Sequence, residues 1–346
     1  MNHQIEIAPE PRVLTQDDSP PSNACKTLWF ASFHEGGAAC PKTSSDGAGY
    51  AVDYSAALSS AIANAGDTLQ PILLLGRYGL ANENSTELST AGKWAEQHGA
   101  KVIVLPRLSF QDDIDLSWQK LPKERFHQSS MGPFMRLDIP QVIKDYQLFD
   151  EPNVCQSHVL YTDSDVLFTN KISHQDVAAL KSSMESSNAI VSYGREFSMG
   201  PAITNTGVMM INVPAFEKEW PLILNFAKSQ ENFPGHDQIL LNDYFQSSPE
   251  NKKKRSLMSI YWNWKAYWKL EPSQPGAIKV LHFHGPKPGK GLEEMASCAI
   301  DSLDSIRPGY RRHFSHAVCC DSGKTAHWAM QMLERFEAPR PEVCGD

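Results

Sequence analysis

The sequence predicts an α/β protein whose core is a mostly parallel sheet flanked by helices. Short apolar runs at Thr27–Phe33, Gln70–Gly76 and Lys101–Pro106 recur with helical patterns between them. That strand-helix-strand rhythm folds as right-handed crossovers onto a parallel sheet. The runs are almost continuously apolar, as strands covered on both faces are. A later run, Val159–Thr162, leads straight into Asp163 and Asp165, and open α/β sheets bind ligands beyond the carboxyl ends of their strands. A chain of 346 residues has room for one large domain, or one domain with a small extension.

Taken in order, residues 1–26 are polar and proline-bearing and predict a loose tail. After the first strand a Gly/Ala/Ser-rich stretch leads to a helix over about Tyr50–Ala65. A polar helix near Glu87–His98 separates the second and third strands, and Gly132–Ile143 reads as one apolar helix carrying Arg136. Apolar runs at Ala189–Tyr193 and within Ile203–Asn212 predict strands, the second with Asn205-Thr206-Gly207 as a small polar unit immediately before the strand itself. Helices follow at Phe216–Ser229 and from Gly235, with Asp237 near the start. The last strand, from Ile278, ends in histidine and breaks into a Gly/Pro/Lys loop. Phe314–Phe336 has a helical pattern that predicts packing onto the main body.

Composition is that of an ordinary globular protein, 41% hydrophobic and 21% charged. A net charge of −8 excludes gripping nucleic acid through the bulk field. The Lys252-Lys253-Lys254-Arg255 run reads as a solvated loop. The seven cysteines form no C-x-x-C motif and leave one over, which predicts reduced thiols. Neither an apolar leader nor a membrane-length apolar stretch is present, so a cytoplasmic enzyme is expected.

Asp163 and Asp165 lie two apart and so share a strand face. Two carboxylates that close repel unless a cation or base neutralises them, and oxygen ligands suit Mg²⁺ or Mn²⁺. Alone, Asp-x-Asp is more simply a solvated turn. Arg136 is equally consistent with pairing to Asp138 and with meeting a phosphate. Asp237 is either a helix-start acid or a functional one. Tyr261–Trp268 holds five aromatics in eight residues, a packing cluster by default and a sugar platform as the sharper alternative. His282 and His284 share a face, and the lysines after them suit phosphate.

Five motifs in order resemble the glycogenin-like glycosyltransferases of family eight. They are Phe134-x-Arg136-Leu137-x-Ile139-Pro140, Leu160-Tyr161-x-Asp163-Ser164-Asp165, Asn205-Thr206-Gly207-Val208-Met209, His236-Asp237-Gln238-x-Leu240-x-Asn242 and His282-Phe283-x-Gly285. The resemblance covers roughly residues 27–290, leaving 291–346 as a mostly helical extension. It implies a GT-A fold, with a Rossmann-like mixed sheet, and a nucleotide-sugar donor, usually a UDP-sugar, bound with Mn²⁺. It also implies transfer of the sugar to an acceptor hydroxyl with retention of configuration. By position, Asp163, Asp165 and His282 resemble the metal ligands, and a histidine in the set favours Mn²⁺ over Mg²⁺. Ser164 resembles the ribose contact, and Arg136 a donor contact. Asn205, Thr206 and Gly207 match the donor-sugar segment, and Asp237 and Gln238 the pair beside the anomeric carbon. Ser32 is a looser match to the nucleotide pocket. Gly285 and Lys287 match the phosphate loop, whose spacing here departs from the family's, so Lys290 competes with Lys287. The acceptor is not implied: a glycan, lipid-linked sugar, small molecule or protein all fit. Rival readings are an aspartate-nucleophile phosphohydrolase, in which Asp163 attacks phosphorus, and a non-catalytic nucleotide-sugar or sugar-binding protein.

Overall fold

The computed structural model describes residues 24–35, 50–78, 80, 82–118, 131–195, 204–230, 237–266, 268, 275–284 and 328–335. In chain order the elements are β1 (Thr27–His34), α1 (Tyr50–Ala65), β2 (Leu69–Gly76), α2 (Thr90–Gln97), β3 (Lys101–Leu105), α3 (Gln111–Trp118), α4 (Met131–Phe134), α5 (Ile139–Asp145) and β4 (His158–Thr162). Then come β5 (Val166–Phe168), α6 (His174–Ser186), β6 (Val191–Arg195), β7 (Thr204–Asn212), α7 (Val213–Ser229), α8 (Asp237–Gln246), α9 (Pro249–Lys253), β8 (Arg255–Leu257), β9 (Trp264–Lys265) and β10 (Val280–His282). Residues 328–335 are helical.

A seven-stranded sheet runs β3-β2-β1-β4-β7-β6-β8, and a small sheet runs β5-β10-β9. The first four strands of the large sheet are parallel; β7 is antiparallel to both β4 and β6. Strand alternation divides the core into two layers. Leu28, Phe30, Ile72, Leu74, Val159 and Met209 face one side, against α5, α7 and α8. Trp29, Ala31, Leu73, Leu75, Leu160 and Met210 face the other, against α1, α2 and α6. Full burial of each large apolar side chain contributes about 1.5–3 kcal/mol, so β1, buried at every residue, has no face left for solvent.

Several sequence expectations are corrected. The helix expected over Gly132–Ile143 is three pieces: α4, a 3₁₀ turn at Met135–Asp138, and α5. Pro140 lacks the N–H that would have bonded back to the Arg136 carbonyl, so a continuous helix breaks there. The polar helix starts at Thr90 rather than Glu87, because Ser89 caps it by accepting from the Gly92 N–H. Asn205-Thr206-Gly207 lies inside β7, not before it. Arg136 does not pair with Asp138, whose carboxylate accepts from the Ser109 N–H and hydroxyl instead.

The thiol expectation fails at one pair: Cys25 and Cys155 form a disulfide. They are 130 apart in sequence, but β1 and β4 are parallel neighbours and these residues sit just before each strand begins. Spacing along the chain carries no trace of that. Residues 24–26, assigned to the tail, are tied down here, with Lys26 bridging to Val154.

Candidate active site

Asp163 follows β4, and its N–H donates to the Gly207 carbonyl at 2.8 Å, which extends the β4–β7 pairing past Thr162. Asp165 precedes β5, whose Val166 lies opposite His282 in β10, and the Phe283 N–H donates to the Asp165 carbonyl at 2.9 Å. The two sheets thus bring three side chains together. His282 Nε2 stands 3.6 Å from Asp163 Oδ2 and 3.4 Å from Asp165 Oδ1, and one ligand atom from each residue lies within 4.8 Å of the others.

This cluster fits a divalent cation. His282 Nε2 is buried and makes no hydrogen bond among the described residues. On the far side of the ring, Nδ1 lies 2.9 Å from Asn263 Oδ1. An Nδ1–H donated there leaves the Nε2 lone pair facing the carboxylates, as metal-bound histidines require. Burial lowers the His282 pKa, and the neighbouring Lys265 lowers it further, so the ring is neutral at neutral pH. Glycine at 207 keeps the space open: a Cβ there would stand 2.1 Å from His282 Cε1 and 2.7 Å from Asp163 Oδ2. Two carboxylates and an imidazole could together hold a divalent metal ion.

Arg136 is buried beside this cluster. Its Nη2 donates to Asp163 Oδ1 at 2.7 Å, its Nε to the Pro133 carbonyl at 2.9 Å, and its Nη1 to the Thr206 carbonyl. The Nε also lies 3.1 Å from Asp237 Oδ2, and the guanidinium sits over the Tyr161 ring at 4.3 Å. One cation therefore bridges a metal-cluster acid and the first acid of α8. Burial works against the guanidinium charge, but Asp237, Tyr161 and Asp163 outweigh it and push its pKa up. Asp237, almost fully buried, has its pKa raised by desolvation, with Arg136 opposing.

Asn205 joins the cluster to α8. Its Oδ1 accepts from the Gly207 N–H at 3.0 Å, Asn263 Nδ2 at 3.1 Å and Lys265 Nζ at 2.7 Å, while its Nδ2 donates to Gln238 Oε1 at 3.2 Å. Gln238 Oε1 also accepts from the Thr206 N–H at 3.3 Å. Asn263 and Lys265 were missed in the sequence. Their signal was two polar residues inside an aromatic run, alternating with tryptophans that are themselves buried. Of the described aromatics, Trp262 and Trp264 are buried; Tyr261 stacks on Trp264 with centroids 5.9 Å apart, and Tyr261 and Trp268, partly buried, pack with Trp264 against Leu281, Phe283, Ala329 and Met332.

A cavity of about 150 Å³ opens beside the cluster, with Ser32, Tyr161, Ser164 and His284 in its wall. Ser32 Oγ lies 2.8 Å from the Tyr161 hydroxyl and donates to the Gly132 carbonyl at 3.0 Å. The His284 ring sits 5.5 Å from that of His282. Thus Ser32, Arg136, Asp163, Ser164, Asp165, Asn205, Thr206, Gly207, Asp237, Gln238 and His282 converge on one region. His236, Gly285, Lys287 and Lys290 lie outside the described residues.

No protein-family model matches the chain, and no curated protein matches it. Among solved structures it is similar to the bifunctional glycosyltransferase WbbM, with a TM-score of 0.45 and 15% identity over 78% of this chain and 47% of that one. It is similar to mouse xyloside xylosyltransferase 1, with a TM-score of 0.46 and 14% identity over 76% of this chain and 99% of that one. The glycosyltransferase GlyE of Streptococcus pneumoniae gives a TM-score of 0.45 and 15% identity, over 90% of this chain and 64% of that one. The chain thus spans about half of WbbM and just under two thirds of GlyE. Overlaps this loose do not establish a shared fold, and the functional reading rests on the side chains.

Proposed function

We propose that the protein is a metal-dependent glycosyltransferase of GT-A type, similar to family eight. It moves a sugar, with retention, from a nucleotide donor such as a UDP-hexose to an acceptor hydroxyl. The observation that carries this reading is the meeting of Asp163, Asp165 and His282 at the carboxyl end of a central strand, beside a second acid held by the same buried arginine.

In this reading Asp163, Asp165 and His282 hold Mn²⁺, with Mg²⁺ a weaker fit. The bound ion supplies positive charge against a leaving diphosphate. Lys287, with Lys290 as its competitor, adds charge from the loop after Gly285. Ser32 and Ser164 line the donor pocket. Gly207 lets the donor approach the cluster without a side chain in the way. Asn205 and Thr206 hold Gln238 through their hydrogen bonds. Asp237 and Gln238 face the sugar and stabilise positive charge at its anomeric carbon. The bond from that carbon to the diphosphate breaks as the acceptor oxygen attacks from the same face. The acceptor's proton passes to the departing phosphate oxygen. Arg136, a donor contact in this reading, also sets the positions of Asp163 and Asp237, which its Nη2 and Nε hold at 2.7 and 3.1 Å.

A phosphohydrolase would leave Asp237 and Gln238, which Arg136 and Asn205 hold beside the cluster, without a part in the reaction. No helix among the described residues is long and apolar enough to cross a membrane. A disulfide persists in oxidising compartments, so Cys25–Cys155 favours such a compartment over the cytoplasm, whose case rested partly on reduced thiols.

The test is donor hydrolysis across a panel of nucleotide sugars, with and without Mn²⁺, reading the released nucleoside diphosphate. Mn²⁺-dependent release from one donor, lost in Asp165→Ala, is expected. Hydrolysis of a simple phosphate ester without donor cleavage would install the phosphohydrolase, and tight donor binding that never turns over with any acceptor would install the binding protein.

A further inference from the structure

We propose that Lys265 is a positioning residue that locks His282 and Gln238 into one frame. The inference rests on the metal-binding reading of the Asp163–Asp165–His282 cluster.

Lys265 is fully buried. Putting an ammonium where no water reaches costs several kcal/mol unless its donors are satisfied, so a fold keeps one there only with closely placed acceptors. Lys265 Nζ donates to Asn205 Oδ1 at 2.7 Å and to Asn263 Oδ1 at 3.1 Å, and it lies 2.9 Å from His282 Nδ1. Its place is fixed by strand register: β9 is parallel to β10, with Lys265 directly opposite His282, so both side chains leave the same face. The Ala266 N–H donates to the His282 carbonyl at 3.1 Å and fastens the backbones.

From this point two lines of contact diverge. One runs through Asn263, whose Oδ1 accepts from Lys265 Nζ at 3.1 Å and stands 2.9 Å from His282 Nδ1 to receive the ring N–H. Asn263 is itself seated against Gly194, where an added Cβ would fall 1.8 Å from Asn263 Nδ2. The other line runs through Asn205 to Gln238 Oε1. A buried donor serving both fixes how far the metal ligand stands from the residue facing the sugar. Loss of such a partner behind a metal-bound histidine costs about 10–100-fold in metal affinity.

The experiment is a double-mutant cycle on Mn²⁺ affinity, read from the electron-spin-resonance signal of free Mn²⁺. It compares wild type, Lys265→Met, His282→Ala and the double variant, with melting temperature as the folding control. The expected result is a dissociation constant raised at least about tenfold in Lys265→Met, and no further rise when it is added to His282→Ala, because Lys265 acts through the ring. A Lys265→Met protein that binds like wild type overturns the inference. So do losses that multiply in the double variant, the mark of independent effects. If Lys265→Met melts too low to assay, Lys265→Gln replaces it in the same cycle. A wild type that binds no Mn²⁺ and ignores His282→Ala overturns the metal reading and takes this inference with it. Wild-type binding with an indifferent Lys265→Met removes the Lys265 role alone.

Discussion

At Gly207 a single hydrogen stands where any other residue would carry a carbon. The clash of that carbon with His282 and Asp163 cannot be relieved by a side-chain swing, since both neighbours are ligands of the same cluster. Gly207→Ala is therefore expected to weaken Mn²⁺ binding at least about tenfold, in line with the loss of a ligand-orienting contact, and equilibrium dialysis against Mn²⁺ checks it. The acids two apart and the terminal histidine were legible in the sequence because each is a local pattern at a strand end. Arg136 was legible only as an oddity, since its partners Asp163 and Asp237 lie 27 and 101 positions away (163 − 136 and 237 − 136). Lys265 was illegible for a related reason: its polar contacts sit at positions 205, 263 and 282, and nothing in an aromatic run announces them.

The small sheet shows the same limit one level up. The parallel strands β1, β2 and β4 were readable because long apolar runs have no other place to go. Strands β5, β8 and β9 have two or three residues each, too short for any periodicity to register, and β10, read from Ile278 onward, gave no sign of its partners. Yet β5, β9 and β10 carry or flank His282, Asp165 and Lys265. Their backing is helix 328–335, whose Ala329 and Met332 are buried against Trp264, Leu281 and Phe283. Met332→Ala is expected to cost about 2 kcal/mol or more in urea denaturation. It should also raise the Mn²⁺ dissociation constant, because Leu281 and Phe283 flank His282. A variant that loses stability but binds Mn²⁺ unchanged would uncouple the helix from the site.

Across the molecule, the disulfide and the candidate site occupy opposite ends of β1 and β4. Replacing both Cys25 and Cys155 by serine is expected to lower stability by about 2–4 kcal/mol while leaving donor hydrolysis at 25 °C near wild type. Paired denaturation curves and initial rates test both halves. Stability should also respond to acid. Burial lowers the pKa of His34, His158 and His282, so as pH falls the unfolded chain takes up protons before the folded one does. Their contribution is complete above about pH 6.5 and is lost as pH falls through the lowered values. Asp138 and Asp237, raised by burial, act with the opposite sign. His158 lies at the start of β4, away from the cluster. His158→Gln should therefore lose less stability than wild type between pH 7.5 and pH 5.5, and urea midpoints at the two pH values measure the difference.

The ligands of the cluster also differ in when they come into existence. Asp163 and Asp165 are synthesised well before His282, which comes 117 positions after the second acid (282 − 165). At ribosomal speeds of about 5–20 residues per second, that interval is on the order of ten seconds. Through most of it the growing chain holds the two acids and Arg136 but lacks Lys265, His282 and the strands β9 and β10. A chain shorter than 282 residues cannot assemble all three candidate ligands, so on the metal-binding reading the cluster is completed only once β10 has been made and has paired with β5.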